Sequence, residues 1–295
     1  MSLKGKVVVV TGSSRGIGFE IAKEFSEVKK SHVIVCSRSR IESENAAKMI
    51  NGTTTALEVD VTSESSVRNF IEEIVQRYGV IDVLINNSGY PYDENIWNKQ
   101  LHEVTIEELW RIMDVDLMGA IRLSRAVIPI MLQQIGTKYK ESKNNSSYTQ
   151  HHSNNSKPEI TGMVDLKNDF QESIPTERDG GVIITISSTP AISGRIGGFP
   201  YTVAKAGNIS LTKCIAKEYG DKNIRAYSLA LGNIATKATY EAISEKVRIE
   251  AAQEAPMKRW GKPIEVAKVA ACIADNGFSF ATGNTIVIDG GTVLL

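Results

Sequence analysis

The chain has 295 residues, enough for one large α/β domain or two small ones, and enough to bury a core without disulfides or metals. Hydrophobic residues at 42% and charged residues at 23% exclude disorder for the bulk of it. Thirty-four basic residues balance thirty-four acidic ones, so no basic field exists to attract nucleic acid or anionic lipid.

The opening Met1-Ser2-Leu3-Lys4-Gly5-Lys6 leads into only four valines before Thr11-Gly12, too short for a signal-peptide core. No later segment approaches 18 uninterrupted apolar residues, so the expectation is a cytoplasmic protein without a membrane span. Residues 7–10 read as a strand buried on both faces, as in a parallel sheet. Ile17, Ile21, Phe25 and Val28 follow at helical spacing, and strands are expected over 32–36 and 57–59. Val67, Phe70, Ile71, Ile74 and Val75 mark a helix, and 81–85 a fourth strand. Thr105-Ile106-Glu107-Glu108 is a capping box that opens the next helix. A long apolar-rich helix is expected over 117–134.

From 136 to 179 the chain turns polar, and 142–157 holds no aliphatic residue. This segment reads as an insert without fixed structure. Because it joins a helix end to a strand start, it belongs at the amino edge of a parallel sheet, opposite the ligand edge. Strands over 181–186, 224–230 and 285–288 alternate with helices over 201–218 and 263–275. The expected architecture is α/β, a doubly wound seven-stranded parallel sheet with helices on both faces. One domain spanning 1–295 with an insert at 136–179 is the simplest organisation. Cys36, Cys214 and Cys272 lie far apart in apolar runs; the spacing suits neither a disulfide framework nor a metal, and all three are expected to be buried.

Two constellations carry chemistry. In the first, Thr11-Gly12-Ser13-Ser14-Arg15-Gly16-Ile17-Gly18 stands where the first strand meets the first helix. Glycines at that point let the backbone turn sharply towards a pyrophosphate, and the helix start supplies free N–H groups. The spacing is G-x-x-x-G-x-G rather than G-x-G-x-x-G, so context rather than pattern makes the case. A carboxylate ending the second strand would select NAD through the ribose hydroxyls. Cys36-Ser37-Arg38-Ser39-Arg40 has none, and Arg38 with Arg15 could clasp a 2′-phosphate, favouring NADP while leaving NAD possible. Asp60 and Val61 either bracket an adenine or, for Asp60, cap a helix. Asn86-Asn87-Ser88-Gly89 reaches the same edge of the sheet.

In the second constellation, Tyr201 and Lys205 stand four residues apart on one helical face. A cation beside a phenol favours its ionised form, which suits proton exchange with a substrate oxygen while a hydride moves. Ser188, thirteen residues earlier, could hydrogen-bond that oxygen. Tyr139 and Lys143 repeat the spacing inside the polar insert, with Ala126 in place of the serine and no strand before it. Context selects Tyr201.

Together these residues resemble the short-chain dehydrogenase/reductase family over nearly the whole chain apart from the insert. Gly232-Asn233-Ile234-Ala235-Thr236, Arg259-Trp260-Gly261-Lys262-Pro263, Thr282-Gly283-Asn284 and Asp289-Gly290-Gly291 extend the likeness. The resemblance implies a Rossmann fold and a nicotinamide-dependent alcohol/carbonyl oxidoreductase. It assigns Tyr201 as acid/base, Ser188 as its partner, and Lys205 as modulator and ribose ligand. It places Asn87 on the cofactor ribose and Ile234 and Thr236 at the carboxamide, with Gly89 and Gly232 among the other cofactor-binding residues. It also implies a homodimer or homotetramer, with no metal. Where the family usually carries an asparagine that holds a relay water, this chain has Asp116, which accepts from water but cannot donate as an amide does. Asp116 either supports the proton relay or simply pairs with Lys205. Leu231 replaces a usual proline, and NNSG a usual NNAG.

The substrate is a small carbonyl or alcohol: a 3-oxoacyl thioester, a sugar or a cyclic ketone. Residues 90–100 and 236–257 should rim the pocket. The competing reading is a catalytically weak nucleotide-binding scaffold that recruits a partner through the insert.

Overall fold

Seven apolar segments pair in parallel to form one sheet in the order β3-β2-β1-β4-β5-β6-β7. The computed structural model describes residues 2–145, 180–241 and 243–294, with backbone alone for 135–145. The strands are β1 Val7–Thr11, β2 His32–Ser37, β3 Thr54–Glu58, β4 Val83–Asn86, β5 Gly181–Ser188, β6 Ile224–Leu231 and β7 Asn284–Ile288. Alternation of side chains divides the core between the two faces. Val8 and Val10 join Val83, Ile85, Val182 and Ile184 on one face, whereas Val7 and Val9 join Leu84 and Ile183 on the other. Every one of these is buried, which is why the strands read as unbroken apolar runs.

Helices cover both faces, as doubly wound topology requires. They are α1 Gly16–Lys23, α2 Arg40–Lys48, α3 Glu64–Tyr78, α4 Glu94–Trp97, α5 Ile106–Met113, α6 Gly119–Asn145, α7 Pro190–Ser193, α8 Phe199–Tyr219, α9 Lys237–Tyr240, α10 Glu245–Glu254 and α11 Pro263–Ala274. Helix α1 runs on into a π-helical turn, Glu24–Val28, and a second such turn, Asp114–Met118, joins α5 to α6. The capping box appears as expected: Thr105 accepts from Glu108 N at 3.2 Å and Glu108 Oε2 from Thr105 N at 2.9 Å.

Several expectations change. Strand β3 begins at Thr54 rather than 57, and β4 at Val83 rather than 81. Helix α6 does not end near 134; it continues to Asn145, so the first residues of the expected insert are helical. Its Lys, Glu and Gln residues are good helix formers that carry the regular part onward. The remainder of the insert lies outside the described residues. Of the cysteines, only Cys36 is buried; Cys214 and Cys272 are exposed. On α11 the buried stripe is Ala270, Ala271, Ile273 and Ala274, which turns position 272 outward. An apolar run is not a buried run when the helix has a second face. No helix among the described residues is long and apolar enough to cross a membrane.

Candidate active site

The carboxyl ends of β1, β4, β5 and β6 stand side by side where the strand order reverses around β1 and β4, the position at which open α/β sheets bind ligands. The glycine loop leaves β1 there. Gly12 and Gly16 hold φ of 63° and 60°, left-handed conformations that a β-carbon would strain. Gly18 serves a different end: a β-carbon on it would fall 2.4 Å from both Gly12 O and Asn87 Nδ2. Helix α1 can therefore sit tight against the loop only without a side chain.

Side chains at the ends of β1 and β4 brace the loop. Thr11 Oγ1 accepts from Asn87 N at 3.0 Å and Ser88 N at 3.1 Å. Asn87 Nδ2 donates to Thr11 O at 2.9 Å and Gly12 O at 3.2 Å. Ser13, which the motif passes over, is fully buried; it donates to Val10 O at 2.6 Å and accepts from Cys36 N at 2.9 Å, tying β1 to β2. Across the loop Thr236, the N-cap of α9, brings its methyl to 3.8 Å from where a Gly16 β-carbon would stand. Ile234 bridges to Gly261, and Gly232 leaves no room for a side chain against Asp289.

Arg15 and Arg38 are both exposed at this edge, while Ser14 and Ser37 are half-buried. Ser37 Oγ donates to Ser39 O at 2.9 Å, which fixes the turn into α2. That turn also delivers Glu42, whose Oε2 lies 3.5 Å from Ser14 Oγ. The end of the second strand lacks a carboxylate in sequence, yet the next helix supplies one in space. Asp60 accepts from Thr62 N at 2.9 Å and Thr62 Oγ1 at 2.8 Å, so its carboxylate organises the turn before α3, whose N-cap is Ser63. Val61 is buried against Gly119. An open hollow of about 610 Å³ adjoins, lined by Arg38, Thr62, Tyr90, Trp110, Arg111, Asp114 and Val115.

The second half of the site rises on α8. Lys205 is buried, its Nζ 5.5 Å from the Tyr201 ring centroid and 2.9 Å from Asp116 Oδ1. Nζ also donates to Ile186 O at 3.3 Å, and Ser187 Oγ donates to Lys205 O at 2.8 Å. Burial, the strongest influence, works against the ammonium charge, but Asp116 and Tyr201 outweigh it and hold Lys205 above the ordinary lysine range. Asp116 sits in the π-helical turn and is itself buried. Such turns widen a helix locally and recur at functional sites. Its Oδ2 accepts from Tyr90 N at 2.8 Å, and its backbone carbonyl accepts from Asn208 Nδ2 at 2.9 Å. Gly89 leaves the carboxylate room: a β-carbon there would lie 3.3 Å from Asp116 Oδ1. Ser188 is buried, with Oγ donating to Leu231 O at 3.2 Å.

Sequence reasoning missed the aromatic wall over the phenol. Trp97 stacks obliquely on Tyr201 with ring centroids 5.0 Å apart, Tyr92 meets Trp97 edge-on at 5.4 Å, and the Arg195 guanidinium lies 4.5 Å over the indole. Segments 90–100 and 190–198 thus meet above Tyr201, whereas only the first was expected to rim it.

A glycine-lined turn at a helix start and a Tyr-Lys pair meet at one sheet edge, and comparison with known proteins gives the family. The chain belongs to the short-chain dehydrogenase/reductase family and is an oxidoreductase. A family model described as short chain dehydrogenase matches residues 6–138, and one described as enoyl-(acyl carrier protein) reductase matches 160–293. The chain is 30% identical to the 3-oxoacyl-(acyl-carrier-protein) reductase FabG of Thermotoga maritima, covering 100% of both chains. It is 28% identical to glucose 1-dehydrogenase 2 of Bacillus subtilis, over 99% of this chain and 96% of that one. A crystal structure described as a gluconate dehydrogenase of Agrobacterium tumefaciens shares the fold, with a TM-score of 0.79 at 23% identity, over 99% of this chain and 98% of that one.

Proposed function

We propose that the protein is an NADP(H)-dependent oxidoreductase that interconverts a secondary alcohol and a carbonyl, with Tyr201 as the proton-transferring group. The observation that carries this reading is the buried Lys205 ammonium, held by Asp116 and Ile186 O beside the Tyr201 ring at the ligand edge of the sheet. At that edge Tyr201 takes a proton from an alcohol in one direction and returns it to a carbonyl oxygen in the other. Ser188 assists by turning its hydroxyl from Leu231 O to the substrate oxygen. Asp116 keeps the ammonium in place.

The glycine loop fits a pyrophosphate, because the space over Gly16 is open to 3.8 Å while Gly12 and Gly18 are closely packed beneath. When bound, the nicotinamide supplies or accepts the hydride. Ser14 and the N–H groups around Ile17 would hold its phosphates, with Arg15, Ser37 and Arg38 at the adenosine 2′-phosphate. Asp60 and Val61 would flank the adenine, Asn87, Gly89 and Lys205 the nicotinamide ribose, and Gly232, Ile234 and Thr236 the carboxamide. The names of the relatives keep a 3-oxoacyl thioester and a sugar among the substrates. Free cysteines suit a reducing cytoplasm, and a homo-oligomer is the assembly this reading adopts.

The test is NADPH oxidation across a carbonyl panel with wild type and Tyr201→Phe. The variant should lose turnover by about 10²- to 10⁴-fold, the usual share of general acid–base catalysis, while NADPH affinity stays within about threefold. Undiminished turnover in the variant overturns the assignment.

A further inference from the structure

Arg195 follows Gly194 in the segment between Ser188 and Tyr201, and its guanidinium reaches back over Trp97. The indole is seated firmly. A β-carbon on Gly198 would approach its ring to 3.3 Å, and one on Gly197 would fall 2.7 Å from Trp97 O. Trp97 then packs on Tyr201, so a cation is held one ring away from the reacting phenol. Trp97 and Tyr201 line a small hollow with Tyr90, Pro91, Ile96 and Ile112. The acid at its rim, Asp93, is engaged as the cap of α4, accepting from Asn95 N at 3.1 Å.

Arg195 differs from the arginines of this chain that are paired with carboxylates. Arg122 pairs with Asp114 at 2.6 Å and Arg259 with Glu265 at 2.7 Å. Among the described residues no carboxylate stands within ion-pair distance of Arg195. Burial pulls its guanidinium below the usual arginine range, and the phenols of Tyr201 and Tyr92 counter this only in part. Although contact with Trp97 withdraws part of it from water, Arg195 is exposed, so its guanidinium is open to an arriving anion, and its planar fork matches a carboxylate with two parallel hydrogen bonds. Contact with the Trp97 ring holds the guanidinium beside the site before the anion comes. A mere latch between the two segments would treat charged and neutral substrates alike.

We propose that Arg195, stacked on Trp97, is a specificity-determining anion site, so that the substrate is an oxo or hydroxy acid whose carboxylate docks there while its carbonyl meets Tyr201. This rests on the oxidoreductase reading of the Tyr201 site. The reaction is unchanged: hydride and proton add across the carbonyl, and the carboxylate takes no covalent part.

The experiment pairs 3-oxobutanoate and 4-oxopentanoate with their methyl esters, in wild type and Arg195→Gln. Each acid differs from its ester in charge, not in carbon skeleton at the carbonyl. The expected result is a kcat/KM at least tenfold higher for the acid of one pair, carried by KM. That ratio should fall at least tenfold in the variant. Preference for the esters in wild type, or an acid-to-ester ratio unmoved in the variant, overturns the proposal. Fluorescence of the protein, whose Trp97 lies under Arg195, gives a second readout by titration with each acid in the absence of NADPH. Saturable quenching in wild type that is lost in Arg195→Gln upholds the anion site even if no compound is reduced, in which case the oxidoreductase assignment of Tyr201 fails instead. Reduction of esters with no binding of acids sinks the anion site and leaves that assignment standing. An acid that neither quenches nor reacts overturns the anion site.

Discussion

At the glycine loop Thr11, Ser13 and Asn87 are engaged by the protein's own backbone, whereas around Tyr201 the key groups are charges buried against one another. Thr11, Ser13 and Asn87 make their hydrogen bonds to main-chain atoms of β1, β2 and β4. What remains for a ligand there is shape and free N–H groups. On the other side Lys205 and Asp116, with side chains only 5% and 0% exposed, form an ion pair with little water to soften it. The first region should respond to volume and hardly to pH. The second should respond to pH and charge.

Asp116→Asn breaks the second region most. A buried pair that loses one partner leaves an uncompensated charge, at a cost of about 3–5 kcal/mol. Lysine escapes part of that by losing its proton. In wild type the folded-state pKa of Lys205 lies above its unfolded value, so the pair's stabilisation is complete below the unfolded pKa of about 10.4. It is lost as pH rises through the folded pKa. Without the carboxylate, desolvation dominates and the folded pKa drops below the unfolded one, reversing the slope. Thermal denaturation should show the variant far less stable than wild type at neutral pH, with the gap closing in alkali. The alkaline limb of the kcat profile should move to lower pH, and an unmoved limb would uncouple Asp116 from the site.

Gly18→Ala breaks the first region by volume alone. Its new methyl would meet a backbone oxygen at 2.4 Å, which cannot step aside as a side chain can. Overpacking of this kind costs about 1–3 kcal/mol. NADPH affinity, measured by fluorescence titration, should fall at least tenfold with no shift in any pH profile. A pH-dependent loss would contradict the contrast between the two regions.

The fold was legible because β1, β4 and β5 are mostly apolar and buried along their whole length, and the helices between them carry stripes. Helix α2 escaped, since only Ser43 and Ala46 of it are buried and neither marks an apolar face. Tyr201, Lys205 and Ser188 could be found because their spacing is local to one strand and the helix that follows. The Trp97–Tyr201–Arg195 stack could not. Trp97 lies on a short helix in a loop far away in sequence, and nothing in an isolated tryptophan says which ring it will meet. Asp116 stood out in sequence, but its hold on Tyr90 N depends on a π-helical turn that no periodicity announces.

Cofactor choice gives the smallest expected effect and sharpens the comparison, because it is the one place where the glycine region depends on charge. Arg15 and Arg38 are exposed and can close on a 2′-phosphate, each hydrogen bond to a charged group contributing about 1.5–3 kcal/mol. Glu42 opposes them from α2, 3.5 Å from Ser14 Oγ. The proposed preference for NADP rests on two cations against one carboxylate, all at the surface where solvent and salt weaken each contribution. Ser37→Asp with Arg38→Ile removes one cation and adds a carboxylate at the end of β2, where ribose hydroxyls would be accepted. The ratio of kcat/KM for NADPH over NADH should exceed one in wild type and fall at least tenfold in the double variant, about 1.4 kcal/mol. Raising ionic strength should lower the wild-type ratio more than that of the variant, which keeps Arg15 but loses Arg38 and gains a carboxylate. A wild type that already favours NADH would mean that Glu42, not the arginines, governs this edge.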